Sequence, residues 1–237
     1  MKTWRQRLYE SYLSTGQATH KEDQNNPYHK RLIQEHLPKD KKIAILDLAC
    51  GHGALIASLK NEGYHDLLGI DHSSEQVALA YKLGISEVRK EDLNLFLEGS
   101  RTKRYDLIFL MDILEHLEKQ EVFDVLDRVN LLLNDGGMVV IHVPNAAGIF
   151  GMRIRYGDFT HQNAFTPQSV KQVLHACGLG DVSVFEDKPV IHGIKSFVRY
   201  LLWQMLTAPL RLLLIAETGT TRHILSQNIL VISRRSL

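Results

Sequence analysis

Three groups of residues in this chain have the types and spacing to do chemistry. Asp112, Glu115 and His116 stand at i, i+3 and i+4. On a helix starting by Asp112, that spacing places all three on one face. Two carboxylates and an imidazole could hold a divalent cation such as Mg²⁺ or Mn²⁺ and lower the pKa of a substrate hydroxyl. The alternative is structural: Asp112 and Glu115 cap the helix and complement its dipole, and His116 packs nearby. The second group is made of candidate proton acceptors. His161 and His192 could take a proton from a hydroxyl at neutral pH, with Asp158 in the same polar stretch as His161. The third group is a set of acids, Asp47, Asp71 and Asp92, each closing a short strand-like run.

These acids need a frame. Ile43 to Leu48 is an apolar run, read as a buried parallel strand because such strands are covered on both faces. It breaks into a turn with Gly51 and Gly53 and resumes as a helix through Leu55, Ile56 and Leu59. Strand, glycine turn and helix together let backbone approach a nucleotide and aim free N–H groups at it. The order is Asp47-x-Ala49-x-Gly51-x-Gly53, not G-x-G-x-x-G. A carboxylate at the strand end would repel a pyrophosphate and suits a cationic group. Asp71 closes Leu67–Asp71 and lies 24 residues after Asp47, where nucleotide-binding α/β folds place the acid that accepts ribose hydroxyls. The bland alternatives are a plain strand-to-helix turn and, at Asp92, an N-cap of the short helix through Leu95 and Leu97.

The same alternation runs on. Further strands are expected at Glu87–Lys90, Tyr105–Met111 and Met138–Asn145, then at Val182–Phe185 and Ile229–Ile232. Helices separate the early ones. This pattern predicts an α/β, doubly wound, mostly parallel seven-stranded sheet. Asn134–Gly137 is expected to cap and turn the helix that carries Val122, Val125 and Val129. Residues 144–166 are too long for a routine connection, and long loops in compact domains are usually functional.

The motifs Asp47 to Gly53, Asp71, Asp92 and Asp112 to Leu117 resemble, in order and spacing, those of the class I S-adenosylmethionine-dependent methyltransferases. Phe159 to Pro167 is similar to the branch holding ubiquinone-biosynthesis and polysaccharide or secondary-metabolite O-methyltransferases. The resemblance covers about residues 40–186 and 229–233. It implies a Rossmann-like methyltransferase fold binding S-adenosyl-L-methionine, with Asp47 near the methionine amino group, Asp71 on the ribose, and Asp92 and Leu93 at the adenine. It also carries Ala49, Cys50, Gly51, Gly53, His72, Gln76 and Met111 into the cofactor contacts. The run Asp112-x-x-Glu115-His116 further resembles the Glu-x-x-Glu-His motif of small-RNA 2′-O-methyltransferases. That likeness implies His161 as the downstream ligand, with Asp in place of the first Glu.

The implied activity is methylation of a small-molecule or sugar hydroxyl. Alternatives are an N-methyltransferase, a quinol-type O-methyltransferase, and a cofactor-binding regulatory module without catalysis. An NAD-dependent oxidoreductase is disfavoured by the missing third glycine and by Asp47. Charge is balanced, 28 Lys+Arg against 27 Asp+Glu, so no nucleic-acid partner is expected. The only cysteines are Cys50 and Cys177. Cys50 sits inside the glycine turn, so a cytoplasmic location is expected, with no signal core at the N-terminus.

Residues 1–40 read as an N-terminal helical arm, with Tyr9, Tyr12 and His20 as candidate acceptor contacts. The methyltransferase domain is expected at 41–186 and 229–237, interrupted by an apolar helical insertion at 187–228. Within it, the apolar run Tyr200–Ala216 falls short of a spanning helix, with Pro209 and Arg211 near its centre, and reads as a helical hairpin, with any partner contact expected through 194–216. Core packing, a homodimer face, or contact with the inner membrane surface stay open there.

Overall fold

A computed structural model describes residues 4–9, 26–99 and 103–236. Tyr12 and His20 lie outside the described residues, as does the side chain of Tyr9. In chain order the elements begin with α1 (Trp4–Tyr9), α2 (Pro27–His36), β1 (Ile45–Leu48) and α3 (Ala54–Asn61). Then come β2 (Leu67–Asp71), α4 (Ser74–Lys82), β3 (Val88–Lys90), α5 (Leu93–Gly99) and β4 (Tyr105–Met111). A single 3₁₀ turn at Leu114–His116 precedes α6 (Lys119–Leu132) and β5 (Leu133–Pro144). The chain closes with α7 (Gly151–Arg155), α8 (Pro167–Ala176), β6 (Leu179–Glu186), α9 (Ile194–Thr218) and β7 (Asn228–Arg235).

The strands form one seven-stranded sheet in the order β3-β2-β1-β4-β5-β7-β6. All neighbours are parallel except β7, which runs antiparallel to β5 and β6. Helices cover both faces, which explains the continuous apolar runs. Leu46 and Leu48 pack with α6 and α8 on one side, while Ile45 packs with α2, α3 and α4 on the other. Leu32, Ile33 and Leu37 of α2 belong to that second core, so α2 is part of the packed body. The strand order reverses between β1 and β4. Such a reversal opens a crevice beyond the carboxyl ends of the two strands, where ligands bind in open α/β sheets.

Three local expectations are corrected. First, no helix starts by Asp112. That residue has a left-handed φ of 54°, and α6 begins only at Lys119, where the Glu118 N–H donates to Glu121 Oε2 at 2.6 Å. Second, Asn134–Gly137 does not stand outside the sheet. β5 starts at Leu133, and the register slips between its pairings at Leu133 and Met138 to absorb those residues. Third, the insertion is no hairpin: α9 is one helix of 25 residues with Pro209 inside it. It is long and apolar enough to cross a membrane by length and composition, so length does not exclude a span.

Candidate active site

The crevice is built from the ends of three strands. Leu48 of β1 pairs with Leu110 of β4, and Met111 pairs with His142 of β5. The residues that follow β1 and β4 therefore face each other across the reversal.

On the β1 side the chain turns through left-handed residues at Ala49 (φ 57°), Gly51 (φ 58°) and Gly53 (φ 78°), the last of which caps α3. A Cβ at Gly53 would also meet Val88 at 2.7 Å, so this position requires glycine twice over. The Gly51 N–H donates to Asp71 Oδ2 and the Ser73 N–H to Asp71 Oδ1, both at 2.8 Å. Asp71 thus locks the glycine turn to the corner after β2, and each of its oxygens keeps a further lone pair. His72 beside it is exposed, 3.9 Å from Asp71. Asp92 Oδ1 accepts the N–H groups of Asn94 and Leu95 at 2.9 and 3.2 Å, which caps α5, and Leu93 packs partly against the core. The capping reading of Asp92 therefore holds, and it leaves Oδ2 for a ligand.

Asp47 is buried, and its Oδ1 has no hydrogen-bond partner among the described residues. Burial, with the Asp71 carboxylate nearby, pushes its carboxyl up to about 8. A buried polar atom left unpaired costs free energy unless a ligand satisfies it. A cationic amine is the ligand that would. Gln76 Oε1 is likewise buried without a partner, and its side chain lies alongside Gly51. Cys50 fills the space over Gly69, and burial followed by Asp47 and Asp71 pushes its thiol well up, so it is an inert wall of the turn. Met111 and Cys50 are both half-buried against the same core cluster.

On the β4 side, Asp112 stays near Glu115 and His116 but gives its carboxylate to a different partner. Its carboxylate meets His142 Nδ1 at 2.6 Å, and His142 Nε2 lies 3.4 Å from Asp187. Burial alone would depress this imidazole, yet the flanking carboxylates, Asp112 first, hold it well above the usual range. Its charge in turn holds Asp112 low. Tyr28 of α2 stacks edge-on against His142 at 5.7 Å, and burial pushes its phenol up to about 12. Sequence reasoning missed His142, Tyr28 and Asp187. The available signal was a single histidine inside the apolar run Met138–Val143.

Glu115, His116 and His161 do come together. One ligand atom from each lies within 4.8 Å of the others. Their orientation is set from behind. His161 Nδ1 lies 3.0 Å from the Ile154 carbonyl, which can only accept, so Nδ1 carries the proton and the lone pair sits on Nε2. Thr160 Oγ1 donates to Asp158 at 2.7 Å and therefore accepts from His116 Nδ1 at 2.8 Å. That chain puts the His116 lone pair on Nε2 as well. Asp158 is buried and also accepts the Thr160 N–H, so it braces the loop behind His116. Glu115 is 2% exposed, and its Oε2 has no hydrogen-bond partner among the described residues. Burial, then the charge of Asp112, pushes its carboxyl well up. Burial and His161 push His116 down to about 4, so it is neutral at pH 7. Two imidazoles and a carboxyl with one unpartnered oxygen are a chemically competent cation site.

α1 reaches this cluster. Arg5 donates to both oxygens of Glu121 at 2.6 and 2.8 Å and to the His116 carbonyl at 3.4 Å, and Trp4 meets Phe159 edge-on at 6.4 Å. His192 is not brought in. Its ring bonds the Val190 carbonyl at 3.0 Å and its N–H the Ser196 hydroxyl, at the entrance to α9.

The family model described as a methyltransferase domain matches residues 20–184. Solved structures share the fold. An S-adenosylmethionine-dependent methyltransferase from Archaeoglobus fulgidus superposes with a TM-score of 0.68 at 19% identity, over 96% of this chain and 99% of that one. Phosphoethanolamine N-methyltransferase 2 from Haemonchus contortus, solved with S-adenosylmethionine, gives 0.67 at 14%, over all of this chain and 61% of that one. An S-adenosylmethionine-dependent methyltransferase from Mesorhizobium loti gives 0.60 at 17%, over 90% and 100%. At these identities the likeness is one of fold. No curated protein matches the chain.

Proposed function

The chain belongs to the methyltransferase-domain family and is a class I S-adenosylmethionine-dependent methyltransferase, and on that premise we propose that it methylates a hydroxyl with the help of a divalent cation. The cofactor supplies a methyl group on a sulfonium, and that carbon must be met in line by an electron-rich oxygen. Asp47 is proposed to accept from the methionine ammonium, whose charge answers its unpaired oxygen. Asp71 offers its remaining lone pairs to the ribose hydroxyls, and Asp92 with Leu93 borders the adenine.

The observation that carries the hydroxyl reading is the convergence of Glu115, His116 and His161 within 4.8 Å. A cation on this set would lower the pKa of a nearby hydroxyl, which a neutral amine acceptor does not need. Between the two ions considered, the pair of imidazoles favours Mn²⁺ over Mg²⁺, which prefers oxygen ligands. Glu115 would ionise on binding, and the Asp158–Thr160 chain would keep His116 in the right tautomer. The His142 cation is proposed to hold Asp112 beside the site as a fixed dipole. The acceptor class proposed is a small molecule or a sugar, handled in the cytoplasm.

The test is S-adenosylhomocysteine release against nucleotide sugars, glycosides, catechols and quinols, each with EDTA and with Mn²⁺ or Mg²⁺. Metal-dependent turnover on a hydroxyl supports the reading. Turnover indifferent to EDTA would discard the cation and leave His161 as a general base.

A further inference from the structure

α9 is built inside out. At 100° per residue, the side turned to the fold mixes polar and apolar residues: Ser196 and Thr207 are buried, and Tyr200, Arg211, Leu214 and Ile215 are half-buried. The opposite arc is apolar and lies in water: Ile194 is 84% exposed, Leu206 67%, Leu212 68% and Leu213 65%. A surface helix of a soluble protein has the reverse pattern. The arc spans about half the circumference along a helix of roughly 37 Å, at 1.5 Å per residue. A contiguous apolar surface of this kind marks an interaction site.

We propose that α9 is an interfacial membrane anchor, lying flat on an anionic lipid surface with this arc among the acyl chains. Three observations select a bilayer. The first is orientation. Arg211, seven residues before the end of α9, donates to both Glu186 oxygens at 2.7 and 2.9 Å and also to the His223 carbonyl. That pair ties the helix lengthwise to the end of β6. A perpendicular span would drag it into hydrocarbon, whereas a helix in the plane leaves it above the surface. The second is charge. Lys195 stands at the N-terminal end of the arc, Arg199 at its edge, and Arg222 follows the helix, all exposed, against Glu217 as the acid on α9. The chain as a whole carries only +1, so this excess is local and faces the headgroups an anionic leaflet presents. The third is width. A two-helix seam buries a narrow stripe. Here the exposed apolar arc is wider, about half of the helix circumference, and further exposed apolar residues lie on α7. Phe150 and Met152, at the start of α7, are 51% and 63% exposed, and Ile149 just before them donates its N–H to the Leu225 carbonyl, in the chain after α9, at 3.2 Å. The proposal is independent of the acceptor and of the cation.

Flotation of the full chain with vesicles tests it. Vesicles of phosphatidylcholine and phosphatidylglycerol in equal parts should carry the protein up the gradient, phosphatidylcholine alone much less, and added salt should weaken the first. Leu206→Glu with Leu213→Glu should lower vesicle binding tenfold or more. Lys195→Gln with Arg199→Gln should lower binding by about tenfold on anionic vesicles and little on neutral ones. Both variants should keep the parent affinity for S-adenosylhomocysteine, which reports the fold. Absence of flotation on both vesicle types overturns the proposal. So does unchanged flotation of Leu206→Glu with Leu213→Glu, or a dimer that this variant dissolves in a protein that never floats.

Discussion

The two sides of the crevice are held together differently. On the β1 side, Asp71 takes two backbone N–H groups, one from Gly51 and one from Ser73, and Asp92 takes two from the start of α5. Main chain fixes those carboxylates. On the β4 side, Asp112 is fixed by His142, His142 by Asp187, and His116 by Thr160 and Asp158. Apart from the Thr160–Asp158 link, those contacts are between side chains far apart in sequence. A site fixed by backbone tolerates change around it, and a site fixed by side chains fails when one link is cut.

The largest effect expected from this contrast is at Glu115. Glu115→Gln should lower turnover by about 10²-fold, because the cation site loses its only carboxylate. Cofactor affinity should stay within about twofold. Isothermal titration with S-adenosylhomocysteine and a Mn²⁺ dose–response separate the two. A variant that loses both in equal measure would break the division between the sides.

Asp71→Ala comes next and should act the other way round. It removes the link between the glycine turn and β2 as well as the ribose acceptor. Weakening of cofactor binding by about 1–3 kcal/mol is expected, and a saturating cofactor concentration should largely restore turnover. Unchanged affinity would remove Asp71 from the cofactor site.

A smaller effect should follow at Thr160. Thr160→Val keeps the shape and cuts the chain from Asp158 to His116. Apparent Mn²⁺ affinity should fall about tenfold, and Thr160→Ser should recover it. Equal loss in Val and Ser variants would mean that Thr160 serves packing alone.

The same contrast decides what the sequence could reveal. Asp47, Asp71 and Asp92 were legible because each ends or follows a strand at a short, fixed distance from a glycine or a helix start. Local spacing encodes that geometry. The helical face proposed for Asp112, Glu115 and His116 was not realised, although two of the three do meet. Their meeting comes through the 158–161 loop, which returns to the strand ends with its own brace, and no i, i+4 rule describes that return. The start of α6 had a local mark that competed with the Asp112 spacing: Glu118 and Glu121 stand at the interval of a capping box. His142 was hidden for the opposite reason. Strand periodicity reports which face a residue takes, and the partners of a buried histidine come from other strands. The length of α9 was understated because Pro209 reads as a helix breaker, and in the structure the helix continues through it.

The smallest effect tests the β1 side by a single proton. In the free protein the Asp47 carboxyl is held at about 8 by burial and by Asp71. An unfolded chain would release that proton near pH 4. A raised acid of this kind makes the folded state bind more protons, so its burial costs stability progressively as pH rises from about 4 toward 8. A cationic amine beside Asp47 selects the ionised form. Cofactor binding at pH 6 should therefore release close to one proton, and the release should fade as pH passes 8. Calorimetry in two buffers of different ionisation enthalpy measures it directly. Asp47→Asn should release none while keeping the turn intact. Proton uptake, or release that persists unchanged in Asp47→Asn, would place the cationic end of the cofactor away from Asp47. The glycine turn would then have to bind it by backbone alone.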